Sequence, residues 1–240
     1  MVDFHSHILP GIDDGAKNPK EAGQMLAMER SSGVDAMILT PHFDSEVLTV
    51  DSFLMRREAA WKMISSFAGQ RIRLGAEVRY RENLLSQDLS KLTMGGTDYL
   101  LLELPGRRYP AYAVRVVEEL LGMGLIPMFA HVERCAYFRE EPNLLKQLID
   151  LGAVAQVSAA ALFDKRDRGF SLGCMRHKLA QIVVSDAHDT AERKPNLELL
   201  EKLPPELQQL HDGFTEAVWE NELPPYVRAS APKKTLFGYR

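Results

Sequence analysis

Phe4-His5-Ser6-His7-Ile8-Leu9, close to the start of the chain, is the stretch on which the reading of the fold turns. Two histidines at i and i+2 inside an apolar, extended run share one face of a regular strand. Neutral imidazoles so placed can grip one metal ion. A lone His-x-His is more often a surface or packed pair. Ile182-Val183-Val184-Ser185-Asp186-Ala187-His188 changes that balance, because it repeats the shape: a buried strand, then two potential ligands at i and i+2. Two strands ending this way predict metal between them.

The chain between these stretches alternates strand and helix. Strands are expected at Ala36–Thr40, Ile72–Val78, Tyr99–Leu104, Ile126–His131, Ala153–Ser158 and Gln181–Ser185. Asn18, with Pro19 behind it, caps a helix that runs to Gly33, and Asp51 caps a longer one carrying Leu54, Trp61, Ile64 and Phe67 on one side. Further helices are expected near Ala111–Met123, Leu144–Leu151, Gly173–Leu179, Asn196–Leu203 and Glu206–Asn221. Apolar strands alternating with helices predict a largely parallel sheet. Seven such units in 240 residues close more naturally into a barrel than they stay open. The expected fold class is therefore α/β, a single-domain (β/α)7 barrel over residues 1–223, followed by a loosely ordered tail over 224–240 that has no periodicity.

Composition narrows the function. With 45% hydrophobic and 26% charged residues the chain reads as an ordinary globular domain, and a net charge of −4 argues against a dedicated nucleic-acid binder. Cys135 and Cys174 are the only cysteines, and their spacing fits neither a disulfide framework nor a zinc knuckle. No basic segment followed by an apolar core opens the sequence, and no apolar run approaches the ~20 residues of a membrane span. A cytoplasmic protein with no membrane insertion is expected.

Ionisable residues gather at the predicted C-terminal strand ends. The first strand gives His5 and His7, with Asp13 or Asp14 in the loop after it. Later ends give His42, Glu77, Glu103, His131, Asp186 and His188; only His177 and His211 among the histidines lie elsewhere. In a barrel these ends share one mouth, where active sites are built. Each residue alone has a bland account as a satisfied core or surface group. Burying all of them uncompensated would cost several kcal/mol per ion, and divalent cations supply the compensation. Mixed nitrogen and oxygen donors suit two or three Mn²⁺, Zn²⁺ or Fe²⁺ ions better than Mg²⁺ or Ca²⁺.

His5-x-His7, Pro41-His42, Glu77, Glu103, His131 and Asp186-x-His188 together resemble the polymerase and histidinol phosphatase (PHP) superfamily. Within it, Phe4 to Gly15, His131-Val132-Glu133-Arg134 and Ser185-Asp186-Ala187-His188 resemble the bacterial manganese-dependent protein tyrosine phosphatases of capsule and exopolysaccharide operons. Val132 stands where that branch usually has proline, and Cys135 where it has tyrosine; neither is a ligand, so they bear on the shape of the phosphate loop. The resemblance implies the distorted barrel of the PHP fold and three ions. His5, His7, Glu77 and Asp186 would hold one; Glu77, Glu103 and His131 a second; Asp14, His42 and His188 the third, with Mn²⁺ the expected metal and Fe²⁺ or Zn²⁺ as alternatives. Arg134 and Arg193 would bind the phosphate, and His188 would join them at the reacting centre. The implied substrate is a phosphotyrosine protein, a tyrosine autokinase of polysaccharide export, and a homo-oligomer stays open.

Hydroxide generated on the ions would attack phosphorus, and phenolate leaves readily. No Cys-x5-Arg loop exists, so no thiol-phosphate intermediate is available. Arg79, Arg81, Arg107 and Arg108, interleaved with Tyr80, Tyr109 and Tyr112, form either a rim for an acidic peptide or ordinary solvated charge. A histidinol-phosphate-type phosphatase, a PHP-type nuclease and a non-catalytic binding module are the competing readings.

Overall fold

The computed structural model describes residues 1–223, 228–232, 234–235 and 238–239. Part of the tail expected to be loosely ordered (224–227, 233, 236–237 and 240) thus lies outside the described residues.

Nine parallel strands build the body. They are β1 (Val2–Ser6), β2 (Ala36–Leu39), β3 (His42–Phe43), β4 (Arg71–Leu74), β5 (Glu77–Arg79), β6 (Tyr99–Glu103), β7 (Ile126–Phe129), β8 (Val154–Ser158) and β9 (Ile182–Val184). One sheet has the order β1-β2-β4 and another β3-β5-β6-β7-β8-β9. One of the expected strands is split in two, and another is followed by a short strand the sequence did not suggest. The second ends at Leu39 as expected to within a residue; Pro41 has no amide to give the ladder, and pairing resumes beyond it at His42-Phe43. The third, expected as one piece from Ile72 to Val78, breaks at Gly75-Ala76, where Gly75 fits tightly against Ile38 and Thr40. Bonds from Gly75 N to Leu39 O (2.8 Å) and Glu77 N to Pro41 O (3.0 Å) carry the pairing across both breaks. A parallel bridge from Ser6 to Ala187, with His7 N–H donating to Ala187 O at 2.8 Å, joins β9 to β1 and closes the ring. Seven strand positions therefore surround one axis.

Helices α1 (Pro19–Ser31), α2 (Val50–Lys62), α3 (Ala113–Gly122), α4 (Ala136–Glu140), α5 (Pro142–Asp150) and α6 (Arg168–Arg176) connect the strands, and α7 (Pro205–Glu220) follows β9. Asn18 Oδ1 accepts from Glu21 N–H at 3.0 Å, capping α1 as its sequence suggests. For α2 the cap is Thr49, whose Oγ1 accepts from Ser52 N–H at 3.2 Å; Asp51 sits inside the first turn. Ile64 and Phe67 fall beyond its end.

Alternate strand residues divide between two cores. Phe4, Ala36, Ile38, Leu101, Met128, Val154, Ile182 and Val184 pack with Phe214, Val218 and Trp219 of α7, which stops the bottom of the barrel. Met37, Leu39, Leu100, Leu102, Phe129 and Val183 face the opposite way and pack under the outer helices. The register shifts between Asp3 and Ser6, a bulge that turns His5 inward like Phe4 before it. Beyond α7, a short antiparallel pair of β10 (Lys234–Thr235) and β11 (Gly238–Tyr239) leads Tyr239 onto Phe170 of α6. No helix among the described residues is long and apolar enough to cross a membrane.

Candidate metal centre

All nine residues singled out by type and position lie at one end of this ring. Their ligand atoms fall into four overlapping sets, each within 4.8 Å: His7, Asp14, His42 and His188; His5, Glu77 and His131; His5, His7 and Asp186; and His42, Glu77 and Glu103. Glu77 Oε2 is the hub, 2.7 Å from His42 Nδ1 and 3.4 Å from both His5 Nε2 and His7 Nε2, while its Oε1 lies 2.8 Å from His131 Nε2. Asp186 Oδ1 is 3.5 Å from His5 Nε2 and 3.6 Å from His7 Nε2. Asp14 Oδ1 sits 3.3 Å from His42 Nε2 and 3.5 Å from His188 Nε2 at the open edge. Glu103 shares a set with Glu77 and His42, and it accepts from Arg79 Nε at 3.0 Å.

Two backbone kinks aim ligands. His131 and Asp186 have φ of 30° and 50°, a region non-glycine residues seldom adopt, and each stands two residues past a strand end. Ser185 holds the second kink: its Oγ donates to Asp3 Oδ2 at 2.5 Å and accepts from Ala187 N–H at 3.2 Å. The turn after β1 is as tightly made, since a Cβ on Gly15 would collide with the His7 carbonyl.

Two side chains and one backbone carbonyl fix imidazole orientation, and sequence pattern did not single them out for it. His7 Nδ1–H donates to Asp13 at 2.8 Å, leaving Nε2 toward Glu77 and Asp186. His5 Nδ1–H donates to Gln156 Oε1 at 3.1 Å, and Gln156 donates on to Met128 Sδ. His188 Nδ1–H donates to the Asp186 carbonyl at 2.9 Å. Hydrogen bonding the far nitrogen selects the tautomer of a metal-binding imidazole. Asp13 was legible by residue type only as an alternative to Asp14, the one the resemblance makes a ligand, and Gln156 lies in mid-strand with no motif around it.

The electrostatics are those of a cation site. Burial opposes charge on Glu77, but the imidazoles of His5, His131 and His42 outweigh it and hold the carboxyl well below its usual range. Asp186 is lowered in the same way, against burial, by His5, His131 and Arg134. Burial, with His7 beside it, drops His188 to about 4, so it is a neutral donor at pH 7. His7 is raised to about 10: burial would lower it, but Asp13 and Glu77 prevail. Among the described residues, His42 Nδ1, Glu77 Oε2, Asp186 Oδ1 and His188 Nε2 are buried without a hydrogen-bond partner. Such converging orphans are costly in a polar pocket and are what divalent ions satisfy, so the residues present fit the metals.

Both arginines reach this centre. Arg134 and Arg193 donate to the same oxygen, Asp186 Oδ2, Arg193 at 3.1 Å, and Arg193 Nη1 lies 3.6 Å from Asp14. Glu133, between His131 and Arg134, is not among the ligands; it accepts from Ser158 Oγ at 2.7 Å and ties the loop to β8.

The family model described as capsular polysaccharide synthesis, CpsB/CapC, matches residues 1–203. Tyrosine-protein phosphatase YwqE of Bacillus subtilis strain 168 is 36% identical over 204 residues, which cover 80% of this chain and 79% of that one. Tyrosine-protein phosphatase CpsB of Streptococcus pneumoniae is 26% identical over 228 residues, 88% of each chain. A crystal structure from work on YwqE and CpsB as metal-dependent tyrosine phosphatases superposes with a TM-score of 0.86 at 27% identity, over 97% of this chain and 100% of that one. A dihydropyrimidinase from Brevibacillus agri shares the fold alone, with a TM-score of 0.57 at 10% identity over 96% of this chain and 73% of that one.

Proposed function

The chain belongs to the CpsB/CapC family of capsular polysaccharide synthesis, and from that premise we propose that it is a metal-dependent protein tyrosine phosphatase. The phosphotyrosine protein it acts on is taken to be a tyrosine autokinase of polysaccharide export. The observation that carries the reading is the hub at Glu77, a buried carboxylate facing four imidazoles with one oxygen left without a hydrogen bond.

His5, His7, Glu77 and Asp186 would hold one ion, Glu77, Glu103 and His131 a second, and Asp14, His42 and His188 a third. Mn²⁺ is the proposed metal, with Fe²⁺ or Zn²⁺ compatible with the same donors. When bound, the ions supply Lewis acidity toward the phosphate and toward water. Asp13 and Gln156 keep the donor nitrogens of His7 and His5 pointed inward, and His188 stays neutral so that its Nε2 offers a lone pair. Arg134 and Arg193 present guanidinium forks beside Asp186, matched to phosphate oxygens and to the charge that spreads over them in the transition state. Phenolate is a fairly good leaving group and asks little of a protein acid. Neither thiol competes as nucleophile: burial pushes Cys135 up to about 11 and Cys174 well above its ordinary value.

Protein stripped with a chelator and reloaded with Mn²⁺ is to be assayed on phosphotyrosine peptide, histidinol phosphate and single-stranded DNA. Hydrolysis of the peptide, lost with the chelator and retained by the double variant Cys135→Ser, Cys174→Ser, is expected; preference for either other substrate defeats the reading. Arg134→Ala and Arg193→Ala should each lower kcat/KM by roughly 10- to 150-fold with metal content unchanged.

A further inference from the structure

The arginines around the mouth divide sharply by pairing. Arg79 is held by Glu103 at 3.0 Å and Asp44 at 3.6 Å, and Arg81 by Asp44 and by Glu46 at 3.0 Å. Arg134 and Arg193 are committed to Asp186. Arg107 and Arg108, on the loop between β6 and α3, are exposed and have no ion-pair partner among the described residues. From Leu104 to Val117 that segment contains no acidic residue at all.

The loop is anchored on both sides of the pair. Before it, Gly106 O accepts from Ala136 N–H at 2.9 Å, and a Cβ on Gly106 would stand 3.2 Å from the Arg134 carbonyl, so the backbone lies directly against the segment that carries Arg134. After it, the Tyr109 ring packs edge-on against Tyr137 at 5.4 Å and Phe138 at 6.2 Å. A short basic tip held at two points, next to a phosphate-binding arginine, presents fixed positive charge to whatever flanks the phosphotyrosine. We propose that Arg107 and Arg108 select substrates with acidic residues beside the phosphotyrosine, so that the preferred substrate is an acidic phosphopeptide segment. The selection rests on the phosphatase reading above and adds to it.

Exposed charge pairs are individually weak, and their effect shows in encounter and KM more than in turnover. Two matched phosphotyrosine peptides, one with Asp or Glu on both flanks and one with Ser or Asn, are compared on the Mn²⁺-loaded protein. The acidic peptide should be preferred by about fivefold in kcat/KM, chiefly through KM. That preference should vanish in Arg107→Ala/Arg108→Ala and fade at about 1 M salt, where the Debye length is about 3 Å. Turnover of p-nitrophenyl phosphate, which has no flanks, should be the same in both proteins. Equal use of the two peptides by the unmodified protein, or a preference that survives the double substitution, overturns the selection while leaving the phosphatase reading standing. If the unmodified protein hydrolyses neither peptides nor p-nitrophenyl phosphate, the phosphatase reading falls and takes the selection with it.

Discussion

Asp13 accepts from His7 Nδ1–H at 2.8 Å, from His42 N–H at 3.0 Å and from Gly15 N–H at 3.0 Å, so one carboxylate sets an imidazole, a strand start and a turn. Burial alone would raise it, but His7 and these amides bring it down to about 2, and it stays charged across the working range. Removing such an outer partner typically costs 10- to 100-fold in metal affinity. Asp13→Ala should therefore bind Mn²⁺ about that much more weakly in a calorimetric titration, with its far-ultraviolet dichroism unchanged. Sequence could not separate this role from that of Asp14, because two adjacent aspartates in a turn differ only in where the backbone points them. The nine ligand-type residues were easier to see, since charge gathered at buried strand ends is seldom stable without a cation to balance it. His211 makes a different statement. It is buried, its Nδ1 accepts from Val183 N–H at 3.1 Å, and burial lowers it to about 4 from 6.5. The folded value lies below the unfolded one, so its contribution, up to about 3 kcal/mol, is present above pH 6.5 and is lost as pH falls toward 4. Thermal melts between those limits should show a steeper loss of stability for the native chain than for His211→Gln; parallel slopes would refute it.

At the scale of elements, pattern located the strands and helices well and their breaks poorly. Strands expected at Ala36–Thr40 and Ile72–Val78 did not reveal that the chain changes sheet between Leu39 and His42 and again between Leu74 and Glu77. The cause is local: an imino acid at 41 and a close-packed glycine at 75, neither of which alters hydrophobicity. The breaks matter, because they let His42 and Glu77 pair directly across β3 and β5 at the lip of the barrel. The start of α2 was placed two residues late, at Asp51, although Thr49 is as good a cap by residue type. The hydrogen bond to Ser52 N–H decides for Thr49. Thr49→Ala should cost about 1 kcal/mol in urea denaturation and Asp51→Ala much less, with phosphatase activity the same in both.

Across the whole molecule, the ligands come from strand ends dispersed through the chain, from His5 to His188, and they meet where β9 closes onto β1. Ions held there join the two ends of a very long loop, so binding to the folded state alone should stabilise it in proportion to metal concentration. Chelator-treated protein should melt at a lower temperature than Mn²⁺-loaded protein, and the difference should shrink in His188→Ala; identical melting points would count against ligation across the closure. Barrel closure was predictable from the count of strands, whereas the bulge that turns His5 inward was not, because a register shift leaves no mark in composition. The seam has a further consequence for synthesis on the ribosome. β1 emerges early, yet the partner for its outer edge, Ala187, lies 181 residues beyond Ser6 and emerges only after β2 to β9. Throughout that interval a nascent chain carries a raw strand edge, the feature that recruits wrong neighbours. No ribosome-bound fragment ending before His188 can assemble the full ligand set, so loading of the complete set of ions has to wait until translation has passed that codon.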